Sequence, residues 1–507
     1  MDERPSKQDH ITFWRSMADD LEAGVRLIDA LNKAQSRLAG TDLAKVVGAV
    51  PARLVESGEA LCDVLRELPD VFDQRVVAAV ETGERAGIME IMASRIADAL
   101  EADDLGLLEE SVPGTEPETL TYVNKLIRDA VKARASDIHL DPTEDGGGRM
   151  RQRIDGVLRE VDPPPEKMFP KVIAALKLMG AMDVPERRLP QDGRISMDVE
   201  GRAIDLRLST VPSVQGERLV LRLLDREVIC LDLAKIGFSS DDLEKVQQLC
   251  RLPSGMVIVN GPTGSGKTTL LYTMLNEINT PERCMITVED PVEYTFDGLA
   301  QIPINPQIGL TFARAIRSVL RQAPDVIMVG ELRDLETMEV AIQSALTGHM
   351  VFTTLHANTS VGAIQRLLDV GLDAFMINAS LQGAISLRLV RILCPECRKR
   401  AEPAVQSMPP EDAKLVSTWK DATFYKPQGC KHCAGTGYRG LTAIYEILII
   451  DDRIRQLISD GADMAAVREA AFEAGFKTMM TNGLEKAAQG ITSIEEVLRV
   501  APRGTSI

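Results

Sequence analysis

Gly261-Pro-Thr-Gly-Ser-Gly-Lys-Thr268 is the stretch on which the reading of this 507-residue chain turns. It matches G-x-x-x-x-G-K-[ST]. An apolar run at 256–259 precedes it and a helical pattern at 269–277 follows. Strand, loop and helix in that order give the spacing a mechanism. Glycines let backbone N–H groups turn inward around phosphate oxygens, and the helix start adds its positive dipole. Across Gly261, Pro262, Thr263, Gly264, Ser265, Gly266, Lys267, Thr268 and Thr269 the single cation is Lys267, placed to reach the β- and γ-phosphates of ATP. The Thr268 hydroxyl is placed to hold Mg²⁺. A bare glycine-rich turn does not require this order of elements.

Outward from the loop, apolar runs at 285–288, 326–329 and 351–354 read as further short strands, separated by helical stretches. Short apolar strands between helices imply a parallel sheet covered on both faces. The run at 326–329 carries Glu331 to a strand end, as an acid for Mg²⁺ and water. Glu289-Asp-Pro-Val-Glu293 supplies a second acidic cluster. His349 and His356, two of five histidines, bracket the run at 351–354, where γ-phosphate sensing is expected.

Upstream, residues 119–231 mix helix and strand. Asp155-Gly156 and Glu200-Gly201 mark turns between alternating segments, which predicts a small α/β domain with a mostly antiparallel sheet. Residues 1–102 read as helices only, and 103–118 as an acidic Pro/Gly linker. Residues 232–392 form the nucleotide-binding domain, 393–440 a cysteine-bearing insert, and 441–507 a helical tail. The fold class is therefore multidomain α/β.

Composition excludes several alternatives. The chain is 45% hydrophobic and 26% charged, as folded soluble proteins are. Its net charge of −17 argues against general nucleic-acid binding. No apolar run reaches the length of about 18 residues that a membrane span needs. The start of the chain shows no signal peptide, so a cytoplasmic location is expected, with membrane contact only through partners.

Taken together, four blocks resemble the secretion ATPases of the type II secretion and type IV pilus assembly family. They are the loop at 261–269, Ile286-Thr-Val-Glu-Asp-Pro-Val-Glu293, residues 320–334 around Asp325-Val-Ile-Met-Val-Gly-Glu-Leu-Arg-Asp334, and Leu346-Thr-Gly-His-Met-Val-Phe-Thr-Thr-Leu-His356. Ser136-Asp-Ile-His-Leu-Asp-Pro142, Arg188-Leu-Pro-Gln-Asp-Gly-Arg194 and Gly216-Glu-Arg218 add to the resemblance. It implies a RecA-like P-loop ATPase core preceded by a small, PAS-like α/β domain, in a homohexamer peripheral to the inner membrane. It also implies that Arg207 and Arg222 of the small domain face the nucleotide. Glu331 matches the family's Walker B glutamate; Glu331 and Glu293 both stand as candidates for polarising water.

Cys394-Pro-Glu-Cys397 and Cys430-Lys-His-Cys433 form two C-x₂-C pairs. Two such pairs complete a closed tetrahedral Zn²⁺ site with a structural role. The run Gly437-Tyr-Arg-Gly-Leu-Thr-Ala-Ile-Tyr-Glu446 follows the second pair as in that family's zinc module, except that Leu441 stands where the family commonly has Arg. This module points to secretion or pilus extension rather than retraction. The remaining cysteines, Cys62, Cys230, Cys250 and Cys284, are isolated and expected to be buried.

The helical region resembles a cytoplasmic repeat of the inner-membrane platform protein of the same machines. Ala23-Gly-Val-Arg-Leu-Ile-Asp-Ala-Leu31, Val55-Glu-Ser-Gly-Glu-Ala-Leu-Cys-Asp-Val-Leu65 and Glu81-Thr-Gly-Glu-Arg-Ala-Gly87 carry that resemblance. It predicts an antiparallel bundle in which Val25, Leu27, Ile28 and Leu31 pack on Leu61, Leu65 and Ile91, with Gly24, Gly58 and Gly87 near helix ends. The function expected from all of this is ATP hydrolysis driving pseudopilus assembly in type II secretion. Its partners would be the platform protein and an associated partner with a cytoplasmic domain. The alternatives are type IV pilus extension, or a nucleotide-binding regulator or scaffold with little turnover.

Overall fold

The structure is a computed structural model that describes residues 5–56, 58–86, 88–108, 117–225, 232–402, 409–419 and 422–502. It comprises two units, 1–228 and 229–507.

Among the described residues the first unit begins with seven helices, from Lys7–Glu22 to Met89–Glu101. The outermost two pack antiparallel, because Lys7 pairs with Asp103 at 2.8 Å while Arg15 pairs with Asp98 at 2.7 Å. Leu31, Leu61 and Leu65 are buried in one core, with Leu27 and Ile91 packed against it. Val25 and Ile28, expected in the same stripe, are half-exposed and lie outside that core. The reason is local. The second helix starts at Leu27, so its inward face is Leu27, Ala30, Leu31 and Ala34, spaced i, i+3, i+4, i+7. Gly24 and Gly58 take left-handed φ values of 80° and 68° between helices; Gly87 lies outside the described residues.

Two of the motifs that suggested a platform repeat meet in space. The Glu84 carboxylate accepts hydrogen bonds from the backbone N–H groups of Leu61 and Cys62, at 2.7 and 2.8 Å. A carboxylate at a helix start satisfies orphan donors and the positive dipole end together.

The core of the bundle continues without a break into the small α/β domain, where the helices Gln74–Ala86 and Pro117–Lys132 pack together. This corrects part of the expected linker. Residues Leu105–Leu108 form a 3₁₀ turn, and Leu105 and Leu108 pack on the shared core. The acidic residues around them concealed two leucines that need burial. Residues 109–116 lie outside the described segments.

Six strands follow: β1 Ala135–Pro142, β2 Gly148–Ile154, β3 Val157–Val161, β4 Gln191–Val199, β5 Arg202–Ser213 and β6 Gly216–Asp225. They form one antiparallel sheet in the order β3-β2-β1-β6-β5-β4. Both expected hairpins are present, with left-handed Asp155-Gly156 and Glu200-Gly201 at their turns.

The second unit holds a seven-stranded sheet. Its strands are β7 Gly255–Asn260, β8 Met285–Glu289, β9 Leu299–Pro303, β10 Val326–Val329, β11 Met350–Leu355 and β12 Leu381–Leu393. Beyond the short pair β13 Lys399–Ala401 and β14 Phe424–Lys426 comes β15 Tyr438–Ile449. The order is β15-β12-β7-β11-β10-β8-β9. All neighbours are parallel except β15, which runs antiparallel to β12. Residues of β7, β8, β10 and β11 are buried throughout, as strands covered on both faces must be.

β15 corrects a boundary. The stretch from 441 was expected to open a helical tail, yet 441–449 returns to the nucleotide-binding sheet with Leu441 opposite Arg391. Alternating residues of β12 and β15 fill the sheet's faces, and this packing overrides the apparent end of the domain at 392. Helices do follow, from Asp452–Ser459 to Ile494–Val500.

Candidate active site

Every parallel strand of the second unit ends at the same edge of the sheet. The loop 261–266 leaves β7 there and enters the helix Lys267–Ile278. Gly261, Gly264 and Gly266 have φ of 151°, 75° and 95°. At Gly261 a Cβ would stand 2.7 Å from the Leu387 carbonyl, so only glycine lets β12 flank the loop this closely. The Lys267 ammonium lies over the loop, donating to the carbonyls of Gly261 at 2.8 Å and Pro262 at 3.0 Å. Burial lowers its pKa, and the nearby Glu331 carboxylate pulls the other way. Thr268 is exposed and Ser265 buried.

β10 delivers Glu331 to this edge. The Gly330 N–H donates to Val288 at 2.8 Å, and the Thr354 hydroxyl donates to the Gly330 carbonyl at 2.6 Å. Those bonds fix the backbone just before the glutamate. One Glu331 oxygen meets His356 Nε2 at 2.8 Å; the other accepts from Arg333 Nε at 2.6 Å. Arg333 also reaches Asp290 at 3.1 Å. Lys267, Glu331 and His356, all named from the sequence, are therefore brought together. Arg333 belongs to the same motif as Glu331, and a cation two residues from a candidate catalytic acid is the signal for it in the sequence. Arg388, also unanticipated, lies close enough for its charge to bear on Lys267.

The second acidic cluster divides. Glu289 is buried, accepting from the hydroxyls of Tyr272 and Thr287 and from Gln301 Nε2 at 3.2 Å, which marks it as structural. Glu293 is half-buried on the loop beyond.

His349 is a correction. It precedes β11, and Met350 pairs with Gly255 at the far end of β7, whereas Leu355 pairs with Asn260 beside the loop. His349 Nδ1 instead lies 2.9 Å from the Ser344 carbonyl. In parallel strands only the residue after the strand reaches the loop's edge.

Arg207 and Arg222 stand directly opposite each other across β5 and β6 of the first unit. Arg222 pairs with Asp137 at 3.2 Å. Arg207 and Arg222 alternate with buried Leu206, Leu208 and Leu221, so they occupy the sheet's other face.

The four cysteines converge in the insert. Their sulfurs all lie within 4.8 Å of one another. Cys394–Cys430, Cys397–Cys433 and Cys430–Cys433 are 3.9, 3.8 and 3.7 Å apart. A tetrahedron with Zn–S of about 2.3 Å has edges of about 3.8 Å, so the set fits zinc and no disulfide. Burial raises the Cys433 thiol, but N–H groups of Cys430 at 3.2 Å and Gly437 at 3.1 Å outweigh it and bring the pKa to about 6. Of the isolated cysteines, Cys62 and Cys250 are buried as expected. Cys284 is exposed, and Cys230 lies outside the described residues.

A glycine-bent loop at the edge of a buried parallel sheet, with a cation over it and a carboxylate beside it, defines a P-loop NTPase. The particular family follows from comparison. The chain belongs to the family described as type II/IV secretion system protein, whose model matches residues 116–499. It is 44% identical to the type II secretion system ATPase E of Vibrio cholerae over 410 residues, covering 79% of this chain and 80% of that one. The type IV pilus assembly ATPase PilB of Myxococcus xanthus is 43% identical over 383 residues, 74% of this chain and 66% of that one. Among solved structures, the pilus retraction motor PilT with bound ADP is 27% identical with a TM-score of 0.51, covering 76% of this chain and 98% of that one. The Legionella pneumophila ATPase DotB shares the fold at 20% identity and a TM-score of 0.57, covering 75% of this chain and 95% of that one. Among the described residues no helix is long and apolar enough to cross a membrane.

Proposed function

We propose that this chain is a hexameric ATPase that drives pseudopilus assembly in type II secretion from the cytoplasmic side of the inner membrane. The observation that carries the reading is the meeting of Lys267, Glu331 and His356 at one sheet edge, in a chain of this family.

The residues fit ATP with Mg²⁺. The loop amides and Lys267 would hold the phosphates, with the Thr268 hydroxyl on the metal. Bound Mg²⁺ supplies charge neutralisation at the β- and γ-phosphates. Lys267 must leave the loop carbonyls to reach them. Glu331 orients and polarises the attacking water, and its own orientation is set by His356 and Arg333. Glu293 stands as the second candidate for that water. Arg207 and Arg222 would close on the γ-phosphate and couple hydrolysis to domain motion. The pairing of the first and last strands at the centre of the small sheet supports a PAS-like reading of that domain. The four cysteines would hold a structural Zn²⁺.

The N-terminal bundle would serve docking. Glu84 binding the start of the Leu61–Arg66 helix supports the platform-repeat reading, since it joins two of the motifs that carry it. The partners would be the platform protein and a partner with a cytoplasmic domain, with no nucleic acid involved.

The test is a deletion strain complemented with this chain or its Glu331→Gln variant, beside ATP turnover of both proteins. Wild type should restore export and hydrolyse ATP, and the variant should do neither. Restored pili with unrestored export would move the assignment to pilus extension.

A further inference from the structure

Glu446 is a buried carboxylate that the hydrolysis scheme does not use. It lies on β15 and is 2% exposed. Isolating a charge from water is costly unless donors replace the solvent. Here they come from two separate helices. One oxygen accepts from the Ser360 backbone N–H at 2.6 Å and the Ser360 hydroxyl at 3.1 Å; the other accepts from the Met479 N–H at 3.2 Å. Ser360 and Met479 are the first residues of the helices Ser360–Asp369 and Met479–Ala488. Each helix start has a threonine cap already, Thr359 or Thr478, so Glu446 fills donors that the caps leave open.

The segment 356–360 is anchored at further points. Asn260, the last residue of β7, donates through Nδ2 to the Thr359 carbonyl at 2.9 Å and to the Ser386 hydroxyl. Arg388 Nη2 donates to Asn358 Oδ1 at 3.1 Å. Ser386 pairs in register with both Asn260 and Glu446, so one polar row crosses β7, β12 and β15 beneath this segment. The segment begins with His356, which holds Glu331.

We propose that Glu446 is a positioning residue for the reaction: it fixes the 356–360 segment, and with it His356 against Glu331, to β15 and the helix Met479–Ala488. The claim rests on the hydrolysis reading for its kinetic consequence but not for its structural one. Glutamine is the sharp substitution, because it keeps the volume of the side chain. It accepts through one oxygen only, and its NH₂ then faces an N–H donor. One of the two helix starts is released.

Hydrogen–deuterium exchange decides the structural part, whether or not the chain turns over. In the Glu446→Gln variant the amides of 357–361 or of 479–482 should exchange about tenfold faster, the effect of losing one charge-assisted hydrogen bond. The rest of the sheet should be unchanged. In turnover, kcat should fall about tenfold with KM within about twofold, since the nucleotide contacts are intact. Combined with His356→Ala, the double variant should be no slower than His356→Ala alone, because both act through the same group. Unchanged exchange, a loss confined to KM, or multiplied losses in the double variant would overturn the proposal. Should the glutamine variant fail to fold, Ser360→Ala removes only the hydroxyl arm. It must raise exchange at 357–361 by about threefold, and no rise there would also overturn it. A wild-type chain without turnover would sink the hydrolysis reading and leave the exchange result to judge this one.

Discussion

The two edges of the seven-stranded sheet are built from the same kind of strand and do opposite work. At one edge stand the loop 261–266, Glu331 and His356; at the other stand Asp325, whose carboxylate accepts from the Cys284 N–H at 2.7 Å, and His349 on the Ser344 carbonyl. β10 and β11 each carry a polar residue at both ends. Composition does not separate the pairs; strand direction does. In a parallel sheet all carboxyl ends lie together, and a ligand meets only that edge. The far-edge groups make structural bonds: Asp325 ties the start of β10 to that of β8, and His349 closes the turn before β11.

The largest effect that tests this contrast belongs to Lys267→Ala. The loop loses its cation and the Coulomb partner of the phosphates. ATP binding, read by fluorescent nucleotide titration, should fall below detection and turnover should fall to background. Normal hydrolysis by this variant would mean that the edge is not the site.

Glu331→Gln should separate binding from chemistry. The amide is the same size but cannot take a proton from water, so kcat should drop about 10²-fold or more with nucleotide affinity kept. Equal loss of affinity would instead make Glu331 a structural partner of Arg333 and His356.

How much of this was legible in the sequence differs along the chain. The loop, its strand and its helix could be read because one local spacing fixes them. Glu331 could be read because four apolar residues lead to it. The return of β15 could not, since the 44 residues 394–437 between β12 and β15 hold the cysteine module, and only pairing with β12 reveals it. Leu105 and Leu108 were hidden by acidic neighbours, although two leucines in an acidic stretch still need a core. Val25 lies two residues before the helix that starts at Leu27, because apolar spacing alone does not set where a helix begins. Arg333 and Glu446 stand inside recognisable runs, but the runs say nothing of their partners. Arg333 is tied to Asp290, 43 residues away, and Glu446 to Ser360, 86 residues away.

His356→Ala should have the third-largest effect. Glu331 keeps Arg333 but loses the group on its other oxygen, and on the proposed reading a carboxylate free to rotate wastes encounters. A fall of about tenfold in kcat with KM nearly unchanged is expected from steady-state kinetics. The Glu331→Gln/His356→Ala double variant should be no slower than Glu331→Gln alone, as the histidine acts through the glutamate.

His349→Ala should do least, and it tests the contrast most directly because it removes the same side chain from the other end of the same strand. Seven residue steps of extended chain lead from one histidine to the other, roughly 23 Å. At the far edge the Gly255 N–H donates to the backbone carbonyl of His349 at 3.1 Å, a bond that alanine keeps. What alanine loses is the ring contact with Ser344 and Thr347 at a half-exposed position, worth about 1 kcal/mol of stability at most. Turnover should therefore stay within about twofold of wild type at 25 °C, with a slight drop in melting temperature. A tenfold loss of kcat in a folded protein would show that the far edge of one chain reaches a nucleotide after all. Since His349 cannot reach its own loop, that nucleotide would have to belong to a neighbouring copy of the chain.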